Sequence, residues 1–227
     1  MKDYIEYIPI ITTLFAIFFT YEIYSHYQYK KTKYLLWWTI GVLTFGLGTL
    51  AESINVLIGW SEVNFKYWYI TGALLGGFPL AQGSVYLLMN KKFADYTSRF
   101  FILFISLAAI CVILSPLSIA DDFDGKLSGS VFTWKWVRNF SPLINSYAFI
   151  FLVGGAVYSA YKYYRSGKEK RFIGNTYIAI GGLLPGIGGT FTRMGYVSVL
   201  YVTELLGLLL IYLGYRLIKK DKASVPA

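Results

Sequence analysis

The 227-residue chain has one cysteine, Cys111, and one histidine, His26. A lone cysteine excludes an internal disulfide and any cysteine-built metal site. A lone histidine excludes bis-histidine haem, HExxH zinc sites and histidine-cluster lipid hydrolases, and it leaves a deep catalytic triad without its base. Charge is scarce as well: 15% of residues are charged, against about 25% in ordinary soluble domains. The sequence contains no P-loop and no DxxxD diphosphate motif, and its GxG pairs, Gly46–Gly48 and Gly186–Gly188, lie inside apolar runs rather than at a strand-to-helix turn. No catalytic residue, metal or cofactor is assigned from the sequence.

What remains is apolar: 56% of residues are hydrophobic. Seven runs are long enough to span a bilayer at about 20 residues each, near residues 5–25, 34–58, 67–90, 99–119, 142–163, 172–195 and 198–218. The sequence therefore predicts an all-α, polytopic membrane bundle of seven helices forming one domain over residues 1–227. The first run lacks a basic n-region and a small-residue cleavage site, so it reads as a retained helix. The net charge of +9 does not point to nucleic acid, because the basic residues sit in short loops. Fifteen of them, including Lys30, Lys31, Lys91, Arg165, Arg171 and Lys219, follow the odd-numbered runs, and six lie on the other side. By the positive-inside rule this sets the N-terminus outside and the C-terminus in the cytoplasm of the cytoplasmic (inner) membrane. The 120–140 loop is then external. Its acids Asp121, Asp122 and Asp124 lack the EF-hand spacing and read as solvated, and Trp134 and Trp136 read as interfacial anchors.

The runs repeat. Tyr24-Ser25 near the end of the first matches Tyr158-Ser159 near the end of the fifth, at an offset of 134. Pro9 and Pro142 open the same two runs at nearly that offset. Gly41, Gly46 and Gly48 of the second match Gly181, Gly186 and Gly188 of the sixth at 140, and the third, from Tyr69, matches the seventh, from Tyr201, with one residue fewer before Gly207. Residues about 5–90 and 142–218 thus read as parallel three-helix repeats, with residues about 99–119 as the linking helix. This three-one-three layout resembles the PQ-loop and SWEET sugar transporters, and in topology it is similar to seven-helix rhodopsins. The likeness is of layout over all seven runs. No Pro-Gln dipeptide is present, and the last run carries Glu204 and no lysine in its interior, where rhodopsins hold retinal. Beyond layout, the chain looks like many bacterial polytopic membrane proteins.

Ionised groups inside a membrane helix cost about 2.5–3.5 kcal/mol on insertion scales, so interior acids need an explanation. Glu52 and Glu204 fall at similar depth, on the external side of their helix midpoints. Arg193 ends the stretch Gly181–Arg193, whose glycines and Pro185 exceed what spanning alone requires. Glu52, Asn55, Arg193 and Glu204 are expected to form one ligand-binding site, with Gln82 as a further interior polar group. Pro185, Gly186 and Pro79 are expected hinges. Glu22 and His26 share a helix face at the cytoplasmic end. The expected activity is binding, and movement across the membrane, of a small solute or amphiphile. A receptor-like sensor working through a partner protein is the alternative, and a carboxylate-dependent intramembrane lipid enzyme is a second. The expected partners are the lipid bilayer, an unknown small molecule, and a partner protein or a second copy of the chain.

Overall fold

Every regular element among the described residues is helical, and one isolated β-bridge joins Leu117 to Phe132. The computed structural model describes residues 4–119, 123 and 125–223, without the side chains of Arg193, Lys222 and Ala223. The expectations for Asp121, Asp122, Asp124 and the Arg193 side chain lie outside the described residues. A 3-10 turn at Tyr4–Tyr7 leads into α1 (Ile8–Lys30), with Pro9 in its first turn, where a missing N–H is harmless. α2 is Lys33–Ile58 and stops at Gly59, whose φ of 104° is left to glycine. α3 (Glu62–Trp68), N-capped by Ser61, runs into a π-helical turn at Tyr69–Leu74, and the chain breaks before α4 (Phe78–Leu88). Asn90 then caps α5 (Lys91–Leu114). After the loop, α6 (Phe140–Ala148), a second π turn (Phe149–Gly154) and α7 (Gly155–Arg165) form one continuous rod. α8 (Glu169–Arg193) and α9 (Val197–Ala223) complete the chain.

Five helices among the described residues are long and apolar enough to cross a membrane: Tyr4–Lys30, Lys33–Ile58, Lys91–Leu114, Lys135–Arg165 and Val197–Asp221. They mark the chain as a multi-pass membrane protein. The other two rods fall short for visible reasons. The α3–α4 rod is interrupted at Gly76 and Gly77, and α8 carries six glycines and three threonines in 25 residues.

Packing is cyclic. α1 lies on α2, α2 on α3 and α4, α4 on α6 and its π turn, α7 on α8, α8 on α9, and α9 on α1. α5 stands outside this ring against α4 and α6, with Ile102, Leu103, Leu107, Ile110 and Ile113 exposed for lipid contact. Glycines bring the tightest pair together. Gly174, Gly181 and Gly188 recur every seventh residue of α8 and meet α9 at Gly214, Gly207 and Leu200, with carbonyl oxygens against the opposite backbone at the first two. Pro185 cannot donate to the Gly181 carbonyl, and that oxygen lies against Gly207. In α2, Gly41 meets Leu80 and Gly48 meets Gly72.

The two ends of the ring differ. At the end rich in lysine and arginine, Phe19, Ile23, Val42, Leu80, Leu152, Ile178, Ile211 and Tyr215 are all buried and enclose a residual void of only about 10 Å³. Below this plug, Glu22 and His26, one turn apart on α1, both reach α9. Glu22 pairs with Arg216 at 3.3 Å and Lys219 at 3.4 Å, and His26 Nδ1 lies 2.9 Å from the Tyr215 hydroxyl. Lys33 and Asp95, 2.9 Å apart, tie α2 to α5. At the opposite end, which carries the 120–140 loop, the ring is hollow.

Candidate functional site

The hollow is a cavity of about 820 Å³, within the range of small-molecule sites. Its walls come from α2, both π turns, α4, α6, α8 and α9, and Leu80, Leu152 and Ile211 form a floor shared with the plug. Three local features create the space. Each π turn widens its rod at the cavity wall, as π turns often do at functional sites. Gly76 and Gly77 break the α3–α4 rod beside it. On α8 the glycines divide by face: Gly181 and Gly188 seat α9, whereas a Cβ at Gly186 or Gly189 would meet nothing within 4 Å, because both look into the cavity.

Glu52 and Glu204 meet in this wall. Glu52 stands six residues from the end of α2 and Glu204 seven residues from the start of α9. At 1.5 Å per residue that places them about 9 and 10 Å below the loop end, at one level. Their carboxyls approach each other closely. Two carboxylate anions offer only acceptors, so a direct hydrogen bond between them would require a proton. Glu52 is 1% exposed, and its Oε1 accepts from the Trp68 indole N–H at 3.0 Å. Glu204 is partly exposed, toward the cavity. Oε2 of each glutamate is buried and accepts from no N–H or hydroxyl among the described residues. The buried Tyr201 lies close to both carboxyls and to Glu6. Behind Glu52 a hydroxyl cluster joins α1 to α2: Thr13 lies 2.9 Å from Thr49 and 3.3 Å from Ser53.

The other predicted residues are distributed differently. Pro185 and Gly186 line the cavity. α8 is nevertheless one unbroken helix through both, and Pro79 sits in the first turn of α4, behind the lining glycines. Asn55 lies one turn beyond Glu52, donates to the Gly125 carbonyl at 3.1 Å and does not line the cavity. Gln82 is far from the carboxyls in bonding terms. It is fully buried, donates to Ala94 O at 2.9 Å and to Thr97 at 3.3 Å, and accepts from Tyr147 at 2.7 Å, clamping α4, α5 and α6 together. Arg193 closes α8, and its side chain lies outside the described residues.

Two lining residues had no place in the sequence reading. Trp68 was findable, because an indole N–H inside an apolar run requires a buried acceptor. Arg138, from the 3-10 turn Lys135–Asn139, reaches the rim of the cavity near Ser128 and Ser141. Nothing in its spacing separates it from the interfacial tryptophans beside it. Among the described residues no group of three His, Cys, Asp or Glu is placed to hold a metal ion. No protein-family model matches the chain, and searches of curated proteins and of solved structures return no match.

Proposed function

We propose that the chain crosses the cytoplasmic membrane seven times, N-terminus outside, and that its two three-rod halves bind a small solute or amphiphile and move it across. The observation that carries this reading is the one-sided cavity, hollow at the loop end, ending on a buried carboxyl pair and stopped by an apolar plug. The positive-inside count puts that plug on the cytoplasmic side. A carrier caught with its site facing outward has this form.

The repeat is supported by where its register slips. Pro9 and Pro142 are offset by 133 and Tyr24 and Tyr158 by 134, and the extra residue falls across the π turn Phe149–Gly154. Tyr69 and Tyr201 are offset by 132 and Gly76 and Gly207 by 131, and this change falls across the other π turn, Tyr69–Leu74. A π turn accommodates one residue more than the α-helix it replaces. The same offsets pair Trp38 with Ile178, Leu80 with Ile211 and Phe19 with Leu152, and all six residues line the plug. A plug made of equivalent positions suits a frame whose halves exchange. Pro185 and Gly186 supply the hinge in this reading.

Single cysteines in a Cys111→Ser background test it. Gly186→Cys should react with a membrane-impermeant maleimide added outside. Ile178→Cys, buried in the plug, should react slowly from the cytoplasmic side if the cavity alternates. An Ile178→Cys that never reacts from either side, while Gly186→Cys does, removes transport and leaves a binding cavity.

A further inference from the structure

We infer that the cavity takes an organic cation, a protonated amine on an apolar body, and that this cation takes the place of a proton shared by Glu52 and Glu204. This rests on the binding reading above and does not require transport. Two buried carboxyl oxygens, Oε2 of Glu52 and of Glu204, accept from no N–H or hydroxyl donor among the described residues. Buried acceptors of this strength are rarely left unfilled. Glu52 is almost wholly enclosed and lines the cavity. The missing partner therefore brings donors and positive charge into the pair.

Chemistry narrows the partner further. A bare metal ion of the calcium or magnesium type requires six or more oxygens or retained waters, and among the described residues no third His, Cys, Asp or Glu joins the pair. Phe45, Trp68, Phe149, Leu200 and Leu208 line the same space. Such walls suit the body of an organic ligand, and an indole face beside carboxylates suits an ammonium head. The titratable groups near the pair are Tyr201 of α9 and, through it, Glu6, and Arg138 stands at the rim of the same cavity. Among the described residues no lysine or arginine forms an ion pair with either carboxyl. The exchange balances: the singly protonated pair, charge −1, and R–NH3⁺ give the doubly ionised pair with R–NH3⁺ bound, and one H⁺ is released.

The test is calorimetric titration of the purified full chain with 2-phenylethylammonium chloride in two buffers of different ionisation enthalpy, with 3-phenylpropionate as the anionic counterpart. Release of up to one proton per chain on binding the amine is expected. Glu204→Gln and Glu52→Gln should abolish proton release and weaken the amine by at least tenfold. Gly186→Leu should remove binding without touching a carboxyl, since its side chain would stand in the cavity, and Gly189→Leu replaces it if that variant does not fold. Amine binding without proton release, or unchanged in Glu204→Gln, overturns the inference. Binding of the anion instead overturns the cation class but leaves the cavity as a small-solute site. Binding of neither probe, in a chain of native elution and helicity, overturns both this inference and the binding reading.

Discussion

Two alanine substitutions five residues apart on α8 should differ sharply. In Gly181→Ala the new Cβ would lie 2.5 Å from the Gly207 carbonyl oxygen, 2.9 Å from Ile211 Cγ1 and 3.0 Å from Ile211 N. Two of these are backbone atoms of a helix packed along its whole length, so α8 and α9 must separate. In Gly186→Ala the new Cβ meets nothing within 4 Å. Both changes gain the same helix propensity, about 1 kcal/mol, because both sites lie within one helix. Comparing the variants removes that contribution and leaves the packing penalty, about 1–3 kcal/mol for overfilling a tight contact. For a chain of this size each kcal/mol moves Tm by about 2–4 °C, so Gly181→Ala should melt on the order of 5 °C below Gly186→Ala. Heating detergent-solubilised samples and scoring the monodisperse fraction by size exclusion measures this. Equal melting, or a lower Tm for Gly186→Ala, would refute the division of the α8 glycines into a packing face and a cavity face.

Three further outcomes follow from particular contacts. Gln82→Leu leaves the Tyr147 hydroxyl without its acceptor, so stability should fall by about 1–3 kcal/mol, while amine titration stays unchanged because Gln82 lies outside the cavity. Trp68→Phe keeps an aromatic wall but removes the donor to Glu52 Oε1, so the proton count in titration should change without loss of the fold. For orientation, Ser128→Cys in the Cys111→Ser background should label from outside intact cells and Ser166→Cys only after permeabilisation; the reverse pattern would invert the topology argued from charge.

Much of the frame was legible because membrane rules are strong. Apolar length marked five long spanning helices, the α8 glycines announced a close seam, and Glu52 and Glu204 stand at similar depth along their helices. Azimuth was the missing coordinate. Asn55 follows Glu52 by one turn, yet it turns to the loop at Gly125 instead of the cavity. Gln82 satisfies itself within α4, α5 and α6, because an amide with three partners in reach has no need of a distant site. The stretch Gly181–Arg193 holds both lessons. Read linearly, its glycines form one motif; wound into α8, every seventh one seats α9, while Gly186 and Gly189 border open space and Gly182 packs on Leu152. Each one-residue slip in the proposed repeat falls across a π turn. An inserted residue that is absorbed as a π turn leaves the rest of its rod in phase while the wall beside the carboxyl pair is widened. On the proposed repeat, the sequence slips and the width of the cavity wall share one physical cause, the extra residue that each π turn absorbs.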